Sequence, residues 1–152
     1  MKTLEIARLA DLPALLGQEI AVSDWLTVTQ ERINQFAEAT GDHQWIHVDV
    51  ERAKGSPFKS TIAHGFLTLS LLPLFTQQCI RMPSVRMGVN YGLNKVRFPS
   101  PVPAGSRLRG RFTLKEVEPV EGGVQMTLTA TIEREGGDKP VCIAESVSRR
   151  YE

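Results

Sequence analysis

The residues best suited to chemistry lie in residues 36–72, which read FAEATGDHQWIHVDVERAKGSPFKSTIAHGFLTLSLL and hold all three histidines of the chain. Asp42 and His47 stand five residues apart, just after a predicted helix. A carboxylate and an imidazole on one cleft wall can hold a water between them, one taking its proton and the other supplying one. Histidine titrates near neutral pH and suits either role. The pair therefore predicts acid–base activation of water.

His64 and Gly65 open the apolar run that follows, HGFLTLSLLPLFTQQCI. At the start of a buried helix the N–H of Gly65 has no intrahelical acceptor, and the helix dipole strengthens it as a donor. Such a group can stabilise an oxyanion. Water activation beside an oxyanion donor suits hydration of a double bond conjugated to a thioester: water adds at C3, an enolate forms on the thioester oxygen, and C2 takes a proton. Thioester hydrolysis would suit the same groups, and the residues alone leave this choice open.

Each of these residues also has a purely structural interpretation. Asp42 follows Gly41 and could simply form a turn. His47 could be a core histidine bonded to a backbone carbonyl. His64 could merely precede the helix, and Gly65 could be there for close packing. The pairing of Asp42 with His47, on a segment between two short helices, favours the chemical interpretation, because irregular backbone on a rigid scaffold can aim side chains.

Two other kinds of site fit the sequence less well. His43 and His47 have the i, i+4 spacing of helical zinc ligands, but Gly41 ends the helix before them and the Glu of an H-E-x-x-H motif is missing. A serine hydrolase would place its nucleophile in a G-x-S-x-G elbow, which is absent, and Ser70 lies inside the apolar run. We therefore expect neither a metal site nor a Ser-His-Asp triad.

The elements that must position these residues start with an amphipathic helix. Apolar residues spaced i, i+3, i+4 and i+7 from Ile33 predict this helix, with Thr27 or Thr29 as its N-cap and Gly41 as its C-terminal stop. Asp49 is predicted to cap a short turn that follows. The run that begins at His64 is apolar on every side, so a helix there belongs inside another structure.

Pro73 interrupts that apolar run, so it is predicted to kink the helix or split it in two.

The second half of the chain changes to a period of two, which predicts antiparallel strands buried on one side over 107–115 and 124–133. Further strands are predicted over 85–98, 141–151 and 20–28. At roughly ten residues they exceed the usual five or six. Long antiparallel strands and one apolar helix predict an α+β fold, with a curved sheet wrapped around the helix.

Length and composition bound the class of protein. A chain of 152 residues is expected to form one domain, 1–152, and a net charge of +1 argues against nucleic acid as a partner. Arg107, Arg109 and Arg111 are interpreted as a solvated strand face rather than an anion site. Cys79 and Cys142 form no CxxC motif and are expected to be small core residues in a reducing cytoplasm. Neither a signal peptide nor a membrane span is predicted, because charges or Pro73 interrupt each apolar run.

The pattern G-D-x4-H-x-D, followed by AHG at the start of an apolar helix, resembles the MaoC-like dehydratases and (R)-specific enoyl-CoA hydratases. Here it reads GDHQWIHVD and IAHGFLTLSLLP. Residues 90–111, NYGLNKVRFPSPVPAGSRLRGR, resemble the strand–loop–strand region of the same group, so the likeness covers most of the chain. The resemblance implies a hot-dog fold, in agreement with the sheet and helix predicted above. It also implies a homodimer with acyl-thioester tunnels near the subunit interface.

By motif position, the resemblance makes Asp42 and His47 the catalytic pair and the Gly65 amide the oxyanion donor. It implies reversible hydration of trans-2-enoyl-CoA to (3R)-3-hydroxyacyl-CoA, with no metal or redox cofactor and with CoA entering only as part of the substrate. Which member of the pair is base and which is acid stays open, because they can titrate as one unit. A hot-dog acyl-CoA thioesterase and a non-catalytic acyl-CoA-binding module are the alternatives.

A further set of residues is polar or basic and expected near the substrate: His64, Asn90, Tyr91, Asn94, Lys95 and Arg97. Lys95 and Arg97 could meet the CoA phosphates, while the spacing of Asn90, Tyr91 and Asn94 favours side chains that face outward from a strand over a pocket lining. Some short-chain family members carry a serine where counting from Gly65 reaches Pro73, so acyl chain length is left open. Pathway is open as well, because polyhydroxyalkanoate precursor supply and fatty-acid oxidation use the same chemistry.

Overall fold

A computed structural model describes residues 1–152. The helices are a 3-10 helix at Leu9–Leu15, α1 at Gln30–Thr40, α2 at Trp45–Val48, α3 at Val50–Ala53, α4 at Gly65–Ser70 and α5 at Leu72–Cys79. The strands are β1 at Leu4–Glu5, β2 at Glu19–Val22, β3 at Leu26–Thr27, β4 at Ile80–Arg81, β5 at Met87–Arg97, β6 at Arg107–Val120, β7 at Gly123–Arg134 and β8 at Cys142–Tyr151.

The main sheet is antiparallel and runs in the order β2-β6-β7-β8-β5, with β3 paired to the other end of β6. Its four long strands have 10 to 14 residues, as the alternation predicted. Register shifts interrupt β6 near Leu114 and β5 near Asn90 and Leu93. Such bulges bend a strand and increase its twist. The sheet thus curves around α4 and α5, and the predicted α+β hot-dog architecture is confirmed.

The core lies between the two central helices and the inner face of the sheet. Phe75 of α5 and Phe112 of β6 are fully buried there. A Cβ at Gly110 would lie 2.8 Å from the ring of Phe112 and 3.2 Å from that of Phe75. The absent side chain is therefore what allows both rings into the same layer. Burial of each ring stabilises the fold by about 1.5–3 kcal/mol.

Helix α1 forms where the apolar spacing placed it. The Thr29 hydroxyl accepts the Arg32 N–H at 3.1 Å, and Gly41 ends the helix at a φ of 84°, in the left-handed region that favours glycine. Pro73 coincides with a split rather than a kink: α4 ends at Ser70, and Pro73 lies in the first turn of α5. A proline is well tolerated in a first turn because that N–H would have no intrahelical acceptor.

One face of the central helices departs from the expectation of complete burial. Phe66 is 70% exposed, and Ser70 and Gln77 are exposed on the same side. The sheet covers only the opposite face, which carries the buried side chains. The Phe98 ring lies edge-on against Phe66, with centroids 6.3 Å apart, but leaves it largely exposed.

The predicted strand over 20–28 is two strands, β2 and β3. Between them the N–H of Ser23 donates to the Gly110 carbonyl at 2.9 Å, its hydroxyl accepts the Gly110 N–H, and the Asp24 carboxylate accepts the Trp25 N–H. These local bonds replace regular pairing. The 3-10 helix and the parallel β1–β4 pair were not predicted.

The basic and thiol residues lie as expected. Arg107 pairs with Glu135 at 2.6 Å, Arg109 pairs with Glu133, and Arg111 pairs with Glu19 at 3.0 Å, so the trio forms a solvated, ion-paired strand face. Cys79 and Cys142 are buried, and burial raises the pKa of each thiol to about 11. No helix of the structure has the length and apolar character needed to cross a bilayer.

Candidate active site

Helix α1, helix α2 and the segment just before α4 meet around the predicted catalytic residues. Gln30 of α1 joins the other two: its Nε2 donates to the His47 carbonyl at 2.7 Å, and its Oε1 accepts the Thr61 hydroxyl. The Ile62 N–H also donates to the Ile46 carbonyl at 3.0 Å. These bonds fix α2 against the segment that leads into the central helix.

His47 lies on the one-turn helix α2, not on the irregular backbone that the sequence suggested. Its side chain is 7% exposed, and its Nδ1 is 2.7 Å from the Ile62 carbonyl oxygen. A carbonyl only accepts, so Nδ1 carries the proton and donates it. In the neutral ring Nε2 then keeps a free lone pair. The interpretation of His47 as a core histidine bonded to a carbonyl is thus correct, and the same bond prepares Nε2 as a base.

The surroundings of His47 favour its neutral form. Burial is the main cause that lowers the pKa of His47, and the neighbouring His64 lowers it further. The hydrogen bond to Ile62 and the charge of Asp42 act in the opposite direction but do not outweigh burial. The imidazole therefore stays unprotonated, and able to accept a proton, at neutral pH.

His64 lies beneath both catalytic residues. Its ring stacks on that of His47, with centroids 3.8 Å apart and planes at 24°, and Phe36 contacts its ring at a centroid distance of 4.9 Å. Its Nε2 donates to the Asp42 carbonyl at 3.0 Å, which leaves Nδ1 buried with no partner. The side chain is only 3% exposed. In this geometry His64 supports the catalytic pair from behind and presents little surface to a substrate.

Asp42 is exposed in the loop that Gly41 directs away from α1. One carboxylate oxygen accepts the Gln44 N–H at 3.3 Å. A carboxylate oxygen of Asp42 and one ring nitrogen each of His47 and His64 lie within 4.8 Å of one another. A water bonded to two groups at the usual distance spans about 4.5 Å between them. The structure thus brings Asp42 and His47 close enough for one water to bridge them.

The same three donors are the residues that could receive a cation, since a carboxylate and two imidazoles are common metal ligands. The i, i+4 pair considered from the sequence is not formed, because His43 is exposed and faces Glu38 at 3.8 Å. The expectation that no metal takes part remains a prediction.

Gly65 is the first residue of α4, so its N–H has no intrahelical acceptor. A Cβ at this position would lie 3.1 Å from the ring of Phe98. Gly65 and Phe98 line a cavity of about 340 Å³ at this end of the helix. Close packing and a free donor therefore coincide at the same glycine.

The other residues expected near substrate all lie on β5, apart from the elements that hold Asp42 and His47. Asn90 and Tyr91 line a cavity beside the central helices, whereas Asn94 lines a different recess with Tyr91. The Arg149 guanidinium lies 3.9 Å from the centre of the Tyr91 ring. Lys95 and Arg97 are exposed, and Arg97 donates to the Val96 carbonyl at 2.8 Å.

Sequence reasoning missed two supporting features of the site. No motif singled out Gln30, and nothing in its spacing indicated two buried partners. The stacking of His64 on His47 depends on how the loop between them returns, which residue types do not reveal. The AHG motif was the only signal that marked His64.

Known proteins resemble this chain in sequence and in fold. Residues 11–135 match the MaoC like domain family. The chain is 55% identical over 150 residues to the 3-hydroxyacyl-thioester dehydratase Z of Mycobacterium tuberculosis (strain ATCC 25618 / H37Rv), covering 98% of both chains. It is 50% identical over 147 residues to Nodulation protein N of Rhizobium leguminosarum bv. viciae, covering 92% of this chain and 89% of that protein. The R-hydratase PhaJ1 of Pseudomonas aeruginosa shares the fold, with a TM-score of 0.72 and 24% identity over 90% of this chain and 82% of that one.

Proposed function

This chain belongs to the MaoC-like dehydratase family, and from its site geometry we propose that it is an (R)-specific enoyl-CoA hydratase. The reaction is reversible addition of water to a trans-2-enoyl-CoA to give (3R)-3-hydroxyacyl-CoA. The observation that carries the proposal is the Nδ1 bond from His47 to Ile62, which leaves Nε2 bare in a ring that has one nitrogen within 4.8 Å of an Asp42 carboxylate oxygen. The dehydratase relative acts, by its name, on 3-hydroxyacyl thioesters, the products of this hydration.

In the hydration direction, a water held between Asp42 and His47 loses a proton to the pair as its oxygen bonds to C3. The C2–C3 double bond becomes an enolate whose charge lies on the thioester oxygen. We assign the Gly65 N–H as the donor to that oxygen. The pair then returns one proton to C2, so the enzyme ends in its initial protonation state and needs no redox cofactor.

The protein is further proposed to act as a homodimer. β5 is the last strand of the sheet and leaves one edge unpaired. Large apolar side chains are exposed on it and on the adjoining helix face: Phe66, Met87, Val89, Tyr91 and Leu93. Such a strand is a template for pairing with another chain. A second copy can supply the same strand in antiparallel orientation around a twofold axis.

The test is an assay with crotonyl-CoA that follows loss of the conjugated-enoyl absorbance, resolves the product on a chiral column and measures free thiol in parallel. We expect the R product, no thiol, and an unchanged rate after treatment with EDTA. Release of thiol without hydration would replace the proposal by a thioesterase. Binding of acyl-CoA with neither reaction would replace it by a binding module.

A further inference from the structure

Arg150 of β8 is a partly buried cation without an acidic partner. Arg107, Arg109 and Arg111 of β6 each pair with a glutamate, but no carboxylate lies within ion-pair distance of Arg150. Its one side-chain bond runs from Nε to the Ser148 hydroxyl at 3.3 Å. Burial lowers the pKa of Arg150, with no neighbouring charge to compensate. An unpaired, desolvated cation is costly unless an anion completes it.

The guanidinium lines a cavity of about 260 Å³ between α5, β5 and β8. No acidic residue lines this cavity. Gln77, Asn90 and Ser146 also line it, and their side chains form no hydrogen bond within the chain, so their amide and hydroxyl donors are free. A Cβ at Gly88 would lie 2.7 Å from Nη1 of Arg150, so the glycine provides the space that the guanidinium fills. Together these features are suited to binding an anionic group.

This cationic cavity adjoins an apolar one. A second cavity, of about 360 Å³, shares Leu72, Pro73, Asn90 and Ser146 with the first. Leu69 and Leu93 add apolar walls at its far side. The two cavities form one groove beside the central helices. The groove is apolar at the end lined by Leu69 and Leu93 and cationic at the end lined by Arg150. A ligand complementary to this groove has an apolar segment that ends in an anionic group.

We infer that this groove receives an acyl chain that ends in a carboxylate, and that Arg150 binds that carboxylate. The inference rests on the proposed function, because the acyl chain belongs to the thioester substrate. It adds a substrate class, trans-2-enoyl thioesters with a carboxylate at the far end of the chain, and makes Arg150 the residue that distinguishes them from methyl-ended chains.

The test compares pairs of trans-2-enoyl-CoAs of six and eight carbons that end in a carboxylate or in a methyl group. The ratio of their kcat/KM values should favour the carboxylate in the wild-type enzyme. It should fall by about 10- to 100-fold in Arg150→Gln, the range expected for a hydrogen bond to a charged group, and less in Arg150→Lys. Arg149→Gln is the matched control: Arg149 covers Tyr91 and bonds Gln125, and its loss should leave the ratio unchanged.

A second variant tests the same ratio independently in case Arg150→Gln misfolds. Gly88→Ala places a methyl group against Nη1 and should lower the same ratio while every ionisable group is kept. A ratio that is equal in wild type, Arg150→Gln and Gly88→Ala overturns the inference and leaves the hydratase intact. If the wild type hydrates no enoyl-CoA, the proposed function fails. In that case calorimetry measures the affinity of the protein for saturated acyl-CoAs that carry or lack a terminal carboxylate. Equal affinities for the two ligands overturn the inference.

Discussion

At the scale of single residues, His47 combines an observed structural bond with the chemical task proposed for it. Its Nδ1–H satisfies the Ile62 carbonyl, a buried acceptor that would otherwise be unpaired. That bond fixes the tautomer, and the stack on His64 fixes the ring plane. A substitution that keeps the hydrogen bond but removes Nε2 as a base therefore separates stability from catalysis.

Asp42→Asn should abolish hydration without unfolding the protein. Asparagine keeps an oxygen for the Gln44 N–H but cannot take part in proton transfer, so kcat should fall by about 10²- to 10⁴-fold. Circular dichroism and thermal melting should match the wild type. Asp24→Asn is the control, since its carboxylate also accepts one backbone N–H, and it should remain active. Full activity in Asp42→Asn would rule out the assignment.

The Gly65 amide can be removed without removing the helix. Proline fits the first helical position and lacks the N–H, and His64 already has a φ of −60° and a ψ of 139°, suitable before proline. We expect kcat to fall by about 10²- to 10³-fold in Gly65→Pro. Gly65→Ala keeps the N–H and should lose far less, because only the partly exposed Phe98 ring must move. Equal losses would assign the effect to packing.

Acid should affect both rate and stability through His47. Because burial lowers its pKa, the folded state binds this proton less readily than the unfolded chain, whose histidine titrates near 6.5. The contribution to stability is complete above that pH and is lost as pH falls toward the lower folded pKa. The acid limb of kcat/KM should likewise lie below about 6.5. Urea unfolding and kinetics between pH 5 and 8 measure both, with His47→Gln as reference. An acid limb above 6.5 would contradict the geometry.

At the scale of elements, the split central helix is held by its buried face. Phe75 is fully buried, so Phe75→Ala should lower the free energy of unfolding by about 3–5 kcal/mol. Urea denaturation measures the change, and Gln78→Ala, exposed on the same helix, should stay within about 0.5 kcal/mol of wild type. A small loss in Phe75→Ala would mean that α5 is not part of the cooperative core.

The same scale shows how far sequence reasoning reaches. The long strands were predictable because alternating side chains meet core and solvent in turn, as Leu108 to Leu114 do. The break near Ser23 was not, because it depends on bonds to Gly110 on a distant strand. Two-residue strands such as β1 and β4 are too short to show any period. Spacing singled out Asp42, His47 and Gly65 as candidates, whereas the contacts of Gln30 and the packing of His64 required the tertiary structure.

At the scale of the whole molecule, the open edge of β5 and the bare Phe66 side of the helices form one apolar surface. Light scattering after size-exclusion chromatography should give twice the chain mass. Leu93→Glu should yield monomers, because it places a charge in that surface. Leu16→Glu makes the same change at an exposed leucine away from β5 and should stay dimeric. A wild-type monomer at micromolar concentration would contradict the proposal.

The order of elements along the chain has a consequence for biosynthesis. The central helices end at Cys79, before any of the four long strands that enclose them has been made. At 5–20 residues per second, the roughly 70 residues that complete the sheet take about 4–14 seconds to emerge from the ribosome. During that interval the long strands that bury most of the apolar helix are missing. We therefore expect the nascent chain to bind chaperones that recognise apolar segments, and a ribosome stalled within β6 to hold it in that state.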